Sequence, residues 1–206
     1  MSSQASVLAP GVPPRGPSTE PTRRTLTARQ ALTVQRLTDA AVVEVRAHGY
    51  DGLTVRNVAR TAGVAPATAY LYFASKDHLI TEVFWRRLDS LPETTHGSRA
   101  GANTRLASTL ADLALLVADE PELASACSIA MLGSDPDVRL LCDRIGLEMH
   151  RRVAAALGDD ADPAVVRALD LMISGALLHA GMGHLSYEEL PARLSEVSQL
   201  LVGKRP

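Results

Sequence analysis

The stretch from Thr54 to Lys76, TVRNVARTAGVAPATAYLYFASK, restricts the possible folds of this chain more than any other segment. Thr54 is a good N-cap, because its hydroxyl can accept a hydrogen bond from an unpaired backbone N–H. Gly63 stands where the first helix must end, since glycine adopts the left-handed conformation at little cost. Pro66 suits the first turn of a second helix. The spacing therefore predicts two short helices joined by a tight turn.

The second helix of this pair has an outer surface of small and hydroxyl-bearing side chains. With a small residue at Ala59, where the two helices cross, and a glycine four residues later, the pattern is that of a helix-turn-helix. Such a surface can lie in a DNA groove, with methyl contacts to thymine and hydrogen bonds to phosphates. The predicted DNA-contacting residues are Thr54, Ala65, Pro66, Ala67, Thr68, Tyr70, Tyr72 and Lys76. The alternative is an ordinary helical corner with surface tyrosines.

Two kinds of contact are expected within this set. Thr54, Tyr70, Tyr72 and Lys76 are predicted to hold phosphates, and Lys76 lies at a helix start where backbone N–H groups can help it. Thr68 and the surface formed by residues 65–67 are predicted to face the bases.

The sequence TAGVAPATAYLYFASKDHL resembles the signature of TetR-type transcriptional repressors. In that signature a Gly-Val turn leads into T-x-Y-x-Y-F-x-S-K and then into an apolar helix. The preceding AHGYDGLTV is similar to the end of the family's first helix. The match covers about Leu37 to Leu88, under a third of the chain. Its departures, at Ala65, Pro66 and Leu71, lie in the second helix of the motif, so the resemblance leaves the operator sequence open.

The resemblance implies a DNA-binding repressor with a small head and a helical body. In this family the last two helices form a four-helix bundle with those of a second copy, and a small molecule is usually sensed inside the body. The implied partners are a double-stranded operator, a second copy of this chain and an unknown small-molecule effector.

Composition and charge agree with a helical DNA-binding protein. Apolar residues make up 46% of the chain and aromatic residues 3%, and no long alternating β-branched run is present, so an all-α fold is expected. Residues 1–91 contain 11 Lys and Arg against 7 Asp and Glu, whereas residues 92–206 contain 10 against 16. A basic N-terminal half on an acidic C-terminal half suits a DNA-reading head on a body that does not bind DNA.

Three segments are predicted along the chain. Residues 1–24 are rich in proline and are expected to be a disordered leader. Residues 25–75 form the helix-turn-helix DNA-binding domain, and residues 76–206 form a helical ligand-binding and dimerisation domain. Arg23, Arg24 and Arg29 follow the prolines and suit a basic arm along DNA, although a solvated leader is the alternative.

The cell compartment is predicted from features of the whole chain. There is no secretory leader and no uninterrupted apolar run of membrane-spanning length, so no membrane contact is expected. The two cysteines are expected to be reduced and buried in a cytoplasmic protein.

Nine helices are predicted, the fourth of which connects the head to the body. Their expected bounds are 28–48, 54–62, 66–73, 76–91, 103–118, 121–133, 136–157, 163–182 and 187–202, with Pro191 either kinking the ninth or marking its true start. Helix four is expected to be the only element that touches both head and body, so we expect it to transmit effector binding to the DNA.

Helix eight is apolar nearly all round, which predicts burial on every side. In a chain of this length one of those sides is expected to meet a second subunit. Gly175, Ala176, Ala180, Gly181 and Gly183 would allow close approach of helices. The alternative is the central core helix of a monomer.

An effector pocket is predicted among helices five to eight. Methionine adapts to varied apolar ligands, and one histidine can supply a polar contact. The candidate lining residues are Cys127, Met131, Met149, His150, Met172 and His179, although plain core packing would give the same pattern. An apolar or amphipathic effector is expected.

Metal binding and catalysis have little support in the sequence. His179 and His184 are five residues apart and would not share a helix face, and the cysteines lack C-x-x-C spacing. We therefore predict no metal, no cofactor and no enzymatic activity. The alternatives left open are an all-helical enzyme or ligand-binding protein whose helix-turn-helix is structural, and a metal-responsive regulator.

Overall fold

The computed structural model describes residues 27–93 and 101–202, and all regular structure within these ranges is helical, which confirms the all-α prediction. The predicted leader, with Arg23 and Arg24, lies outside the described residues. The helices are α1 Ala28–Gly52, α2 Val55–Thr61, α3 Pro66–Tyr72, α4 Lys76–Ser90, α5 Ala102–Ala114, α6 Pro121–Met131, α7 Pro136–Leu157, α8 Pro163–Gly181 and α9 Leu190–Val202.

Most helices begin at a side chain that accepts a hydrogen bond from the first turn. The hydroxyl of Thr54 accepts from the Asn57 N–H, and that of Ser75 accepts from the His78 N–H. Each of these bonds satisfies a backbone donor that the helix leaves unpaired. The other side-chain caps in the described residues are Thr27, Asp135 and Asp162.

Two glycines set the shape of the N-terminal head. Gly49 has φ 66° and interrupts α1, so the chain turns there before a final helical turn. Gly63 has φ 62° and forms the turn between α2 and α3. Both values lie in the left-handed region that side chains with a Cβ rarely adopt. The first helix was predicted to end at residue 48. It bends at Gly49 instead, and a last helical turn continues to Gly52.

The helix-turn-helix is held together by a buried apolar corner. Val58, Ala59 and Ala69 are fully buried where α2 and α3 cross. Phe73, the C-cap residue of α3, is also fully buried. Arg36 of α1 donates hydrogen bonds to carbonyl groups at the end of α2. The turn is therefore fixed both by packing and by capping of its free carbonyls.

Helices α4 and α7 run side by side in the same direction. At their starts the Ser75 hydroxyl donates to an Asp135 carboxylate oxygen at 2.5 Å. Midway, the Arg144 guanidinium lies over the Trp85 ring at 5.1 Å. At their ends the buried Arg152 donates to three backbone carbonyls in and just after the last turn of α4, those of Leu88, Leu91 and Pro92. The head's connecting helix is therefore fixed to the body along its whole length.

Helix α4 is not the only element that joins head and body, which corrects the prediction. Helix α1 also packs against α6. The Arg46 side chain of α1 donates to a carboxylate oxygen of Glu120, the N-cap residue of α6, at 2.9 Å. Arg87 of α4 donates to the other oxygen of the same carboxylate. Two helices of the head therefore meet the body at one acidic side chain.

Two further helix boundaries, the end of α5 and the start of α9, differ from the predicted ones. Helix α5 ends at Ala114, and residues 115–119 form turns whose hydrogen bonds span three residues. Helix α9 begins at Leu190, so Pro191 marks the start of the helix and does not kink it. The Ser186 and Glu189 side chains each accept a hydrogen bond from the other residue's backbone N–H. These bonds stabilise the turn that precedes the helix.

Helix α8 is buried along one face only, which corrects the expectation of burial on every side. Val166, Leu169 and Ile173 pack into the core, whereas Leu171 is 77% exposed. The structure therefore does not support a central core helix. By length and composition alone α8 could cross a membrane, as the core helices of many proteins could, but it carries two charged residues in its first half.

Candidate DNA-binding surface and effector cavity

Helix α3 presents the predicted DNA-contacting residues on its outer side. Ala65, Pro66 and Ala67 are exposed at its start, and Tyr70 is exposed one turn later. Ala69 is buried between them and anchors the helix to the corner. The outer surface is thus smooth and uncharged near its start, where a recognition helix meets base edges.

The remaining hydroxyl groups lie around the edge of this surface. Thr68 and Tyr72 are half-buried, and Thr54 is exposed at the start of α2. The Thr54 oxygen accepts the capping bond at 3.0 Å, which leaves its proton free to donate to a phosphate. The hydroxyl-bearing residues therefore flank the predicted base-reading residues of α3.

The Lys76 ammonium is held by a residue that the sequence prediction missed. Its Nζ donates to the Tyr50 carbonyl at 2.9 Å and lies 4.0 Å from the centre of the Tyr50 ring. The Tyr50 hydroxyl in turn bonds Asp77, and burial together with this bond raises the pKa of Tyr50 well above its ordinary value. An ammonium has three donors, so this arrangement orients Lys76 and leaves protons for a phosphate.

Two further cations belong with this surface. Arg56 and Arg60 are exposed one turn apart on α2, the helix that Thr54 caps. Their spacing of four residues was visible in the sequence as a basic stripe on the first helix of the motif. Leu71 is also 72% exposed on α3, at a position where the TetR-type signature more often has a polar residue.

A cavity of about 330 Å³ lies inside the body between α4, α6, α7 and α8. Its volume falls at the lower end of the range of roughly 300–1,000 Å³ typical of small-molecule sites. The lining is mostly apolar, with two thiols and three hydroxyl groups. The lining residues are Phe84, Val117, Ala124, Cys127, Ser128, Met131, Leu132, Cys142, Ile145, Gly146, Met149, Ser174, Leu177, Leu178 and Tyr187.

Three of the six predicted pocket residues line this cavity, namely Cys127, Met131 and Met149. The other three lie outside it. His150 is on the surface between α7 and α8, with its Nδ1 2.7 Å from an Asp170 carboxylate oxygen. Met172 packs against the core.

His179 is exposed near the end of α8 and lies beside His184, contrary to the argument from helical spacing. The two rings are in edge-to-face contact with centroids 5.8 Å apart. Helical spacing applies only where the helix is continuous. Instead α8 ends at Gly181, and Gly183 at φ 76° turns the chain back so that the His184 N–H bonds the His179 carbonyl at 3.0 Å. Two imidazoles fall short of the three or four ligands of a zinc site, and no group of three or more metal-ligating residues is found in residues 27–93 and 101–202.

The ionisable groups of the cavity wall are neutral near pH 7. Burial raises the pKa of the Cys127 thiol to about 12 and also raises that of Cys142. Burial likewise raises the pKa of Tyr187, although a hydrogen bond with Ser128 acts in the opposite direction. Both cysteines are free thiols, Cys127 buried and Cys142 half-buried. The cavity can therefore hold an apolar molecule but offers it no charge.

Comparison with known proteins agrees with this architecture. Residues 37–83 match the family model for bacterial regulatory proteins of the tetR family. An HTH-type transcriptional regulator of Mycobacterium tuberculosis is 44% identical over 204 residues, which cover 98% of this chain and 94% of that protein. The HTH-type transcriptional repressor KstR of Rhodococcus jostii is 28% identical over 176 residues, 82% of each chain. These relatives are transcriptional regulators, which are not enzymes.

A solved structure supports the same fold. The crystal structure of a TetR transcriptional regulator from Rhodococcus sp. RHA1 superposes with a TM-score of 0.70 over 87% of this chain and all of the other, at 19% identity. At that identity the likeness extends to the fold alone.

Proposed function

Because this chain belongs to the TetR family of DNA-binding transcriptional regulators, we propose that it is a repressor that binds a pseudo-palindromic operator as a homodimer and responds to a small molecule. The observation that carries the proposal is the exposed outer side of α3 on a buried apolar corner, together with Lys76 at the start of α4 and two exposed arginines on α2. The name of the Rhodococcus jostii relative, a repressor, supports repression. The site of action is the cytoplasm.

The homodimer is proposed to form through α8 and α9. Both helices carry exposed leucines, Leu171 on α8 and Leu200 on α9, which one chain leaves uncovered. Two-fold symmetry would place two α3 helices in successive major grooves, roughly 34–36 Å apart. The operator would then have two related half-sites.

On each half-site we propose that Thr54, Tyr70, Tyr72 and Lys76 hold phosphates. Thr68 and residues 65–67 would face the bases, and the small side chains of Ala65 and Ala67 allow close approach to a thymine methyl. Leu71 adds an apolar contact at the outer edge of α3.

The test is a Lys76→Ala variant measured on a duplex selected from a random pool and on a scrambled duplex. Binding to both should weaken by a similar factor, and the slope of log K against log salt should fall by about 0.9, one phosphate contact. Lys76→Arg keeps the charge and should keep the slope. An unchanged slope in Lys76→Ala would remove Lys76 from the DNA interface.

Thr68→Ala should behave differently from Lys76→Ala. Loss of a base contact should cost about 1–3 kcal/mol on the selected duplex and change the preferred base at one position of each half-site. Repeating the selection with the variant measures this. The same preferred sequence at unchanged affinity would argue that Thr68 faces away from the bases.

Control by an effector is proposed to act from the cavity through two helices. Phe84 of α4 lines the cavity, and the same helix starts at Lys76 beside the DNA. Helix α6 contributes Cys127 to the cavity, and its N-cap residue Glu120 binds Arg46 of α1. A ligand that favours one arrangement of α4 and α6 would change the spacing of the two heads and release the operator.

A further inference from the structure

The cavity has one polar corner in an otherwise apolar wall. The hydroxyls of Ser128 on α6 and Tyr187, in the turn between α8 and α9, are hydrogen-bonded to each other. Gly181 lies against them: a Cβ there would be 1.9 Å from the Ser128 oxygen and 3.7 Å from the Tyr187 hydroxyl. Because α6 and α8 meet at a glycine, the two hydroxyls come together at the cavity wall.

The hydrogen-bonding capacity of this corner is not used up by the protein. Ser128 donates to the Ala124 carbonyl at 3.1 Å, so the lone pairs of its oxygen face other partners. A tyrosine hydroxyl both donates and accepts. Both hydroxyl protons are then used within the protein, and the free lone pairs can accept a hydrogen bond from a ligand hydroxyl.

No charged side chain lines the cavity within the described part of the chain. The charged groups nearest to Cys127, Arg87 and Glu120, bind each other and so neutralise their own charges. A carboxylate or phosphate buried against this wall would lose its hydration without gaining a counter-ion, which disfavours its binding there. The wall therefore selects against ionised groups.

From these observations we infer that the effector is an uncharged, largely apolar small molecule whose hydroxyl group donates a hydrogen bond to the paired hydroxyls of Ser128 and Tyr187. The inference rests on the ligand-responsive function proposed above and specifies its ligand class. The polar group fixes the orientation of the molecule, while the methionine and leucine side chains of the wall adapt to its apolar part.

The test compares three probes with the same ten-carbon chain: decan-1-ol, decanoate and decanoyl-coenzyme A. Binding to the full chain is measured at pH 7.5 by calorimetry and by the shift in Tm, without DNA. Decan-1-ol should bind at least tenfold more tightly than decanoate, because only the alcohol buries its polar end without a charge. Since no operator is present, failure of DNA binding and failure of this inference are separate results.

Two hydroxyl deletions locate the contact. Tyr187→Phe and Ser128→Ala should each weaken decan-1-ol binding about fivefold, the effect of one lost neutral hydrogen bond. Ser90→Ala, which removes an exposed hydroxyl near the end of α4, should leave that affinity unchanged. Two independent variants keep the test valid if one of them folds poorly.

Three results would overturn the inference. The first is tighter binding of decanoate or decanoyl-coenzyme A than of decan-1-ol, which would show that an ionised group is accommodated. The second is no binding of decan-1-ol at all. The third is wild-type affinity for decan-1-ol in both hydroxyl variants.

Discussion

Glu82 is a fully buried carboxylate in the middle of α4. One of its oxygens accepts from Arg86 at 2.8 Å, and the other has no hydrogen-bond partner within the described residues. Burial raises the pKa of Glu82 to about 7, although Arg86 and Arg144 act to lower it. The group is therefore partly protonated near neutral pH, and its charge is a cost to the folded state.

The pH dependence of stability should reveal this cost. A raised pKa means that the folded state holds the proton more tightly than the unfolded state does. Stability is therefore lost as pH rises from about 4.5 to above 7, by about 3 kcal/mol at most. In Glu82→Gln this loss should be absent, so the variant should equal the wild type near pH 4.5 and exceed it at pH 8. Urea unfolding of both proteins at both pH values measures their free energies of unfolding. If the variant and the wild type differed by the same amount at both pH values, the raised pKa of Glu82 would be contradicted.

At the scale of the helices, Glu120 joins three of them through one carboxylate. Burial alone would raise the pKa of Glu120, but the bonds from Arg87 and Arg46 outweigh it and hold the pKa below its ordinary value. The two arginines differ in exposure: the Arg46 side chain is 56% exposed and that of Arg87 26%. The link between α4 and α6 is therefore better shielded from water than the link between α1 and α6.

Double-mutant cycles should separate the two links. Glu120→Gln combined with Arg87→Met should give a coupling energy of about 2 kcal/mol, and combined with Arg46→Met about 0.5–1 kcal/mol, because the exposed pair is screened by solvent. Denaturant unfolding at pH 7 supplies the energies. Adding 0.5 M salt should reduce the smaller coupling more. Equal couplings would contradict the difference in burial.

Helix starts could be predicted from the sequence because they depend on neighbouring residues. The sequence predicts Thr54 as an N-cap from its hydroxyl and its place before an apolar helical pattern, and the structure shows that capping bond. Contacts between distant segments could not be predicted in this way. The Arg46–Glu120 bond joins positions 74 residues apart, and nothing near either residue indicates the other.

The two candidate sites differ in the same way, since one depends on local sequence and the other on contacts between distant segments. The outer side of α3 could be predicted because a short helix shows its faces in its spacing. Only half of the predicted pocket residues line the cavity. Met131 and Met149 do, whereas His150 and His179 lie outside it. Tyr187 was missed, since its position depends on how the turn after α8 folds back onto α6, and no local pattern records that.

For the whole molecule, the exposed apolar side of α8 predicts its state of assembly. Leu171→Glu would place a charge in the proposed interface and should convert the dimer to a monomer at micromolar concentration. Binding to the selected duplex should then weaken strongly while the helical content stays unchanged. Sedimentation velocity and circular dichroism measure the two quantities.

Leu147→Glu is the matched control for this prediction. Leu147 is also exposed, at 69%, but lies on α7 outside the proposed interface. This variant should remain dimeric and bind DNA normally. If Leu147→Glu were monomeric while Leu171→Glu stayed dimeric, the interface would lie on α7 and not on α8.

The shared hydroxyl of Ser75 limits which residues can replace it. Serine, threonine, aspartate and asparagine all start helices well, and an isolated helix would accept any of them. Here the hydroxyl that accepts the capping bond must also donate its proton to Asp135, the N-cap of the neighbouring helix α7. Aspartate would bring a second carboxylate against the first and is therefore excluded, whereas threonine keeps both bonds. In a saturation library scored for folding without DNA, position 75 should consequently tolerate fewer residues than position 54, because the Thr54 hydroxyl bonds only its own helix within the protein.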